Sequence, residues 1–204
     1  MTARPRVVMM ARAPVLGAVK TRLARDVGAD AALAFYRDTL ATLVTRLHGR
    51  AAFTLVLAVT PDAAADDAGL WPPGPARVPQ GEGDLGARMR RPLARATPTA
   101  PVLVVGSDLP ELTAGHVETA LAALGAGRHD LVFAPALDGG FWLVGARRPP
   151  PDHLFAEVRW SGPHALADSL RSIAGAATVL TALELADVDR GADLRGRAWP
   201  VPGN

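Results

Sequence analysis

Five short apolar runs constrain this chain more than any other feature: Val7-Val-Met-Met-Ala11, Phe53-Thr-Leu-Val-Leu-Ala-Val59, Val102-Leu-Val-Val105, Leu131-Val-Phe-Ala134 and Phe141-Trp-Leu-Val144. Each is rich in β-branched or aromatic residues and bounded by Gly, Pro or Asp, the pattern of a strand. Strands that are apolar almost throughout belong to a sheet covered on both faces. Between the first two, Leu33, Tyr36, Leu40, Leu43 and Leu47 recur at helical spacing, with Asp30 as the expected N-cap and Gly49 beyond the end. Further helices are expected over 85–96, 114–124 and 163–174. Strands alternating with helices predict one α/β doubly wound, Rossmann-like domain spanning residues 1–204, with a mostly parallel sheet and helices on both faces. The stretch 68–80, which contains Trp71-Pro-Pro-Gly-Pro75, reads as an irregular surface connection.

Composition narrows the function classes. With 49% apolar and 21% charged residues in 204, the chain is an ordinary globular one and not a disordered tail. No window reaches the ~18 apolar residues of a membrane helix, and the first apolar run is too short for a signal peptide, so a cytoplasmic location is expected. The absence of cysteine leaves carboxylates and histidines as metal ligands, and the five histidines show no paired ligand spacing. Of the 22 basic residues 21 are Arg and one is Lys20, a bias that fits a GC-rich genome. A formal charge of +2 is no polybasic footprint, so a nucleic-acid partner is not expected.

In open α/β sheets ligands bind beyond the carboxyl ends of the strands, which directs attention to the residues after each run. After the first comes Arg12-Ala-Pro-Val-Leu-Gly17-Ala-Val-Lys20-Thr-Arg22, a loop with three cations and a glycine that suits a di- or triphosphate. A Walker A loop is excluded, because Val19 precedes Lys20. After the third run, Gly106-Ser-Asp108-Leu-Pro110 puts a carboxylate at a strand end, where it can hold Mg²⁺ against phosphate oxygens, although a turn or N-cap Asp would read the same way. Asp138-Gly139-Gly140 is either a close backbone approach to a ligand or a plain hairpin turn. Asp187-Val-Asp189 is read as an extended segment that turns Asp189 inward, toward Asp108, and Asp187 away. Gly81-Glu-Gly83-Asp-Leu-Gly86 matches a dinucleotide-binding fingerprint, but Pro79 breaks the strand before it and Glu82 and Asp84 would face a pyrophosphate. It reads better as a turn into a helix whose Arg88 points at a nucleotide.

Together Ala11-Arg-Ala-Pro-x-x-Gly-x-Val-Lys-Thr-Arg-Leu23, Gly83-Asp-Leu-Gly-x-Arg-Met89, Gly106-Ser-Asp-Leu-Pro110, Asp138-Gly-Gly-Phe141 and Trp160-Ser161 resemble a small bacterial family of GT-A-fold, nucleotide-sugar-dependent glycosyltransferases. That family is associated with radical-SAM/selenodomain and arsenosugar genes. It is distantly similar to the nucleotidyltransferases that make molybdenum-cofactor dinucleotides and guanylylated phospholactate. The resemblance covers nearly the whole chain. It implies that Arg12, Gly17, Lys20 and Arg22 hold a nucleotide diphosphate, that Arg88 lies near the nucleoside, and that Asp108 binds Mg²⁺ or Mn²⁺. Asp189, brought to Asp108, is the expected second ligand, and Gly139, Gly140, Phe141 and Trp160 are expected on the acceptor side. The chain departs from the family pattern at Phe141, where Tyr is usual, at Gly162 for Thr, and at Arg190-Gly-Ala192 for Thr-Pro-Glu.

The sequence therefore predicts a transferase that takes a nucleoside-diphosphate sugar with a divalent cation and moves the sugar to a small acceptor, with Asp138 orienting or deprotonating that acceptor. A nucleotidyltransferase that uses an NTP and releases pyrophosphate is the alternative, since both need cations around a diphosphate leaving group. A nucleotide-binding protein without turnover is a third reading. Sugar, base, acceptor and oligomeric state are not legible.

Overall fold

The computed structural model describes residues 4–173, 175–176, 178–181 and 185–194. In chain order the elements are β1 (Arg6–Arg12), α1 (Thr21–Val27), α2 (Ala29–Leu47), β2 (Thr54–Thr60), β3 (Ala76–Pro79), α3 (Leu85–Leu93), β4 (Val102–Gly106), α4 (Ala114–Gly125), β5 (Leu131–Pro135), β6 (Phe141–Ala146), α5 (Ala165–Ser172) and β7 (Thr178–Leu180). The strands form one sheet in the order β3-β2-β1-β4-β6-β5-β7, parallel except for β6, which runs against both β4 and β5. No described helix is long and apolar enough to cross a membrane.

The continuous apolar runs are explained by burial on both sides. Val7, Met9 and Ala11 of β1 pack with Tyr36, Leu40, Leu43 and Leu47 of α2 and with Val117 and Leu124 of α4. Val8 faces the other way, into a second cluster with Met89 and Leu93 of α3 and Leu154, Phe155 and Ile173 around α5. Each buried Val, Leu, Ile, Phe or Met among them is worth about 1.5–3 kcal/mol relative to exposure, before the entropy of ordering it. All five expected strands are present within two residues of their expected ends.

Local departures from expectation have identifiable causes. Gly28, at φ 88°, separates α1 from α2, so Asp30 lies in the first turn of α2 and is not its cap. The loop read over 12–22 gives way to α1 at Thr21; that helix carries no periodic signal because Leu23 is its one buried residue. Residues 76–79, which fall in the expected irregular connection and read as a weak strand broken by Pro79, form an edge strand against β2; Pro79 is tolerated because no described strand pairs on its far side. Helix α3 ends at Leu93, three residues early, where the bonds Arg95 N to Pro92 O and Ala96 N to Leu93 O tighten the chain after Pro92.

The topology gathers one edge. Strands β1, β2, β4 and β5 all end there, and antiparallel β6 begins there, so the loops at 13–20, 107–113 and 136–140 share a rim. After β7 the chain returns to the same rim: Leu185 bridges Ala136, and the Val188 amide donates to the Asp108 carbonyl at 3.4 Å. Val188 and Leu194 are buried against Leu23, Ala32 and Phe35, which anchors this last segment over the crevice.

Candidate functional site

The loop after β1 is fixed by its backbone before any ligand arrives. Ala13 N donates to Thr60 O at 2.8 Å, Ala18 N to Val15 O at 3.0 Å, and the Arg37 guanidinium holds Pro14 O at 3.0 Å. Gly17 takes φ 75° at the exposed tip of the loop. Lys20 then adopts a left-handed conformation, φ 47° and ψ 42°, immediately before α1. Its side chain is 6% exposed, and its ammonium lies 2.9 Å from Asp108 Oδ2 and 3.2 Å from Asp189 Oδ1. Arg22 reaches the other Asp189 oxygen at 3.0 Å. Burial alone would lower the Lys20 pKa, but the Asp108 and Asp189 carboxylates more than reverse that and hold it above the ordinary lysine value.

Asp108 follows the end of β4, and Asp189 lies on the segment that Val188 anchors. The backbone there is held by Asp193, which accepts from the Asp189 and Arg190 amides at 3.0 and 2.8 Å, and by Asp26, which accepts from Gly191 N at 2.8 Å. Asp187 joins the group: ligand oxygens of Asp108, Asp187 and Asp189 all lie within 4.8 Å of one another. This corrects the expectation that Asp187 points away. Residues two apart on an extended segment share a side, and here the intervening Val188 takes the buried side. Burial, with the like charges of Asp108 and Asp189 beside it, pushes the Asp187 carboxyl up to about 6.

Two cavities meet at these carboxylates. The first, about 560 Å³, is lined by Arg12, Lys20, Arg22 and Arg88 together with Tyr36 and Gln80. The second, about 390 Å³, is lined by Asp138, Gly140, Phe141, Trp160 and Asp187. Arg22, Leu85, Gly106, Asp108 and Asp189 belong to both walls. Arg12, Lys20, Arg22 and Arg88, expected around a nucleotide, thus line one compartment, and Gly140, Phe141 and Trp160, expected on the acceptor side, line the other, while Gly17 and Gly139 line neither. The Asp138 segment is the β5–β6 hairpin turn and also a cavity wall: the exposed Asp138 accepts from Gly140 N at 2.8 Å. Gly139, at φ 84°, sits so close to Pro163 that an added Cβ would lie 2.5 Å from its carbonyl oxygen. The hairpin is thereby fixed to the start of α5, where Leu166 N donates to Gly139 O at 3.2 Å. Phe141 packs edge-on against Trp160 at 6.4 Å between ring centres.

The glycine-rich 81–86 segment leads into α3 as a turn. Asp84 caps that helix by accepting from Ala87 N at 2.8 Å, so one of the free amides at the helix start is already met by a carboxylate of the chain itself. Arg88 is half-buried in the first cavity, with its Nε on Gly83 O at 2.9 Å.

Two wall residues escaped sequence reasoning. The buried Tyr36 hydroxyl accepts from Arg12 N, donates to Arg12 O, and lies 3.2 Å from Ser107 Oγ, joining the ends of β1 and β4. Gln80 donates to Ala11 O and Ala58 O at 3.2 and 2.9 Å, closing the gap between β1 and β2. A signal existed: Lys, Tyr and Gln each occur once in this Arg- and Ala-rich chain, and all three line the first cavity.

The fold is that of a GT-A-like doubly wound α/β protein, with its cleft at the carboxyl edge of the sheet. The model of the family described as "Uncharacterized protein conserved in bacteria (DUF2064)" matches residues 42–162, and the chain belongs to that family. No curated protein matches the sequence. Among solved structures, the chain is similar to a candidate nucleotide-diphospho-sugar transferase from Desulfovibrio desulfuricans G20, with TM-score 0.78 and 24% identity over 92% of this chain and 83% of that one. Rv0371c from Mycobacterium tuberculosis H37Rv, in complex with manganese, is similar at TM-score 0.53 and 22% identity over 93% of each chain. A CMP:2-keto-3-deoxy-manno-octonic acid synthetase complexed with CTP aligns at TM-score 0.55 and 13% identity, over 94% of this chain and 95% of that one. At these identities the likeness establishes the fold.

Proposed function

We propose that this protein is a divalent-cation-dependent nucleotidyltransferase that joins the nucleoside monophosphate part of an NTP to a small acceptor. The observation that carries this reading is the position of Asp108 and Asp189 on the wall between a basic compartment and a smaller one. Three converging carboxylates suit a hard cation such as Mg²⁺ or Mn²⁺, and the Lys20 ammonium already places a positive charge between two of them. Asp108 and Asp189, with Asp187 beside them, would hold the ion, which supplies charge neutralisation at the phosphates.

The chain's own residues account for the rest. Arg12, Lys20 and Arg22 bind the phosphates, Arg88 lies toward the nucleoside, and the second compartment seats the acceptor. An acceptor oxygen attacks the α-phosphorus, the bond from that phosphorus to the bridging oxygen breaks, and pyrophosphate leaves with the electron pair. Asp138 orients the acceptor oxygen and receives its proton. Fixed cations around the departing diphosphate act where negative charge develops, the term that dominates many enzymes.

A second reading is sugar transfer from a nucleoside-diphosphate sugar, favoured by the higher structural similarity to the Desulfovibrio protein. Phosphorus-31 NMR of the protein with Mg²⁺, each nucleotide type and a panel of alcohol and phosphate acceptors separates the two. Nucleotidyl transfer yields pyrophosphate with a new nucleotide ester from an alcohol or a new nucleotide anhydride from a phosphate; sugar transfer yields a nucleoside diphosphate; neither product with any donor would reject both. We further infer a cytoplasmic site of action.

A further inference from the structure

We propose that Lys20 is itself the cation of this site while nucleotide is absent, so that the protein takes its metal together with nucleotide and not ahead of it. This rests on the proposed function above and specifies the form in which the substrate is bound. The Lys20 ammonium contacts Asp108 Oδ2 at 2.9 Å and Asp189 Oδ1 at 3.2 Å, the same two carboxylates assigned to the metal. A hard cation with oxygen ligands at about 2.0–2.6 Å would fill the space between them. Ammonium and metal cannot share it.

The local structure keeps Lys20 there. Its side chain is 6% exposed. Its backbone is left-handed, a conformation that a non-glycine residue keeps only where its surroundings enforce it. An alternative anion is available without a change of fold, because Lys20 lines the first cavity with Arg12, Arg22 and Arg88. A diphosphate arriving in that cavity gives the ammonium new oxygen partners, and its bound metal replaces the ammonium on Asp108 and Asp189. A metal arriving alone must displace Lys20 with nowhere comparable for its charge to go. By linkage, nucleotide and metal then raise each other's affinity.

The test is Mn²⁺ binding followed by electron paramagnetic resonance on the full chain, for wild type, Lys20→Met and Asp108→Asn, each with and without each of the four common NTPs. Lys20→Met is expected to bind Mn²⁺ without nucleotide at least tenfold more tightly than wild type does. Equal nucleotide-free affinity in wild type and Lys20→Met would overturn the role of Lys20, while loss of binding in Asp108→Asn would still uphold the cation site. Binding by Asp108→Asn equal to wild type throughout would overturn the cation site and this inference with it. A readout free of mutation also exists, because Lys20 is the sole lysine. Lysine ¹⁵Nζ labelling should give one protected ammonium resonance that Mg²⁺ alone leaves in place and Mg²⁺ with NTP moves. Displacement by Mg²⁺ alone at the same concentration would contradict the proposal.

Discussion

The Tyr36 hydroxyl lies 2.9 Å from the amide and 3.0 Å from the carbonyl of Arg12, so one side chain of α2 satisfies both backbone groups at the end of β1. Without it these groups, and Ser107 beside them, lose a partner at the floor of the first cavity. Tyr36→Phe should destabilise the fold by about 1–3 kcal/mol in denaturant unfolding, the cost of leaving part-buried polar groups unmet. It should also weaken nucleotide binding by loosening the loop that carries Arg12. A variant as stable as wild type would mean that water or local adjustment replaces the hydroxyl.

Arg22 is the cation that touches both compartments and pairs with Asp189. Arg22→Ala should lower affinity for a metal–nucleotide complex by about 1.5–3 kcal/mol, the value of a charge-assisted contact, with the fold intact. Calorimetric titration checks this, and unchanged affinity in a folded variant would return Arg22 to a role at the surface alone.

What could be read from residues alone depended on how far each signal reaches along the chain. The strands were legible because each is a local run with its own boundaries, and Asp108 because it follows one. Edge strand β3 was hidden by its four-residue length and Pro79, and α1 by its single buried leucine. The convergence of Asp187 with Asp108 and Asp189 depends on where a segment about 80 residues away returns, which no local pattern encodes. Tyr36 was legible as a buried helix residue, but not as the clamp on Arg12, because its hydroxyl reaches across the chain.

Asp168 offers a pH test away from the cleft. It is buried, and accepts from Arg159 at 2.8 and 3.0 Å and from Arg171 at 2.6 Å. These hydrogen bonds, Arg159 foremost, hold its carboxyl well below the usual carboxylate range. The folded state therefore resists protonation that the unfolded chain accepts. Its stabilising contribution is complete above the unfolded pKa near 4 and is lost as pH falls below that toward the folded value. Asp168→Asn should be less stable than wild type at neutral pH, with the gap closing in acid. Parallel stability curves from pH 7 to pH 2 would contradict this assignment.

With Asp84 already capping α3, the 81–86 loop should not act as a dinucleotide site. NADH at sub-millimolar concentration should neither quench tryptophan fluorescence nor compete with nucleoside diphosphates. Competitive quenching would reverse the reading of that loop.

A divalent cation held by Asp108 and Asp189 against a nucleotide in the first cavity is the proposal on which the others depend. It is tested by the thermal stability of wild type, Asp108→Asn and Asp189→Asn with each NTP, in Mg²⁺ or in EDTA. A ligand at 100 times its dissociation constant adds about 2.7 kcal/mol, enough to move the transition by several degrees. At least one NTP is expected to stabilise wild type in Mg²⁺ and not in EDTA, and both variants are expected to fold but lose that increment. The same stabilisation in EDTA, or in Asp108→Asn, would contradict it.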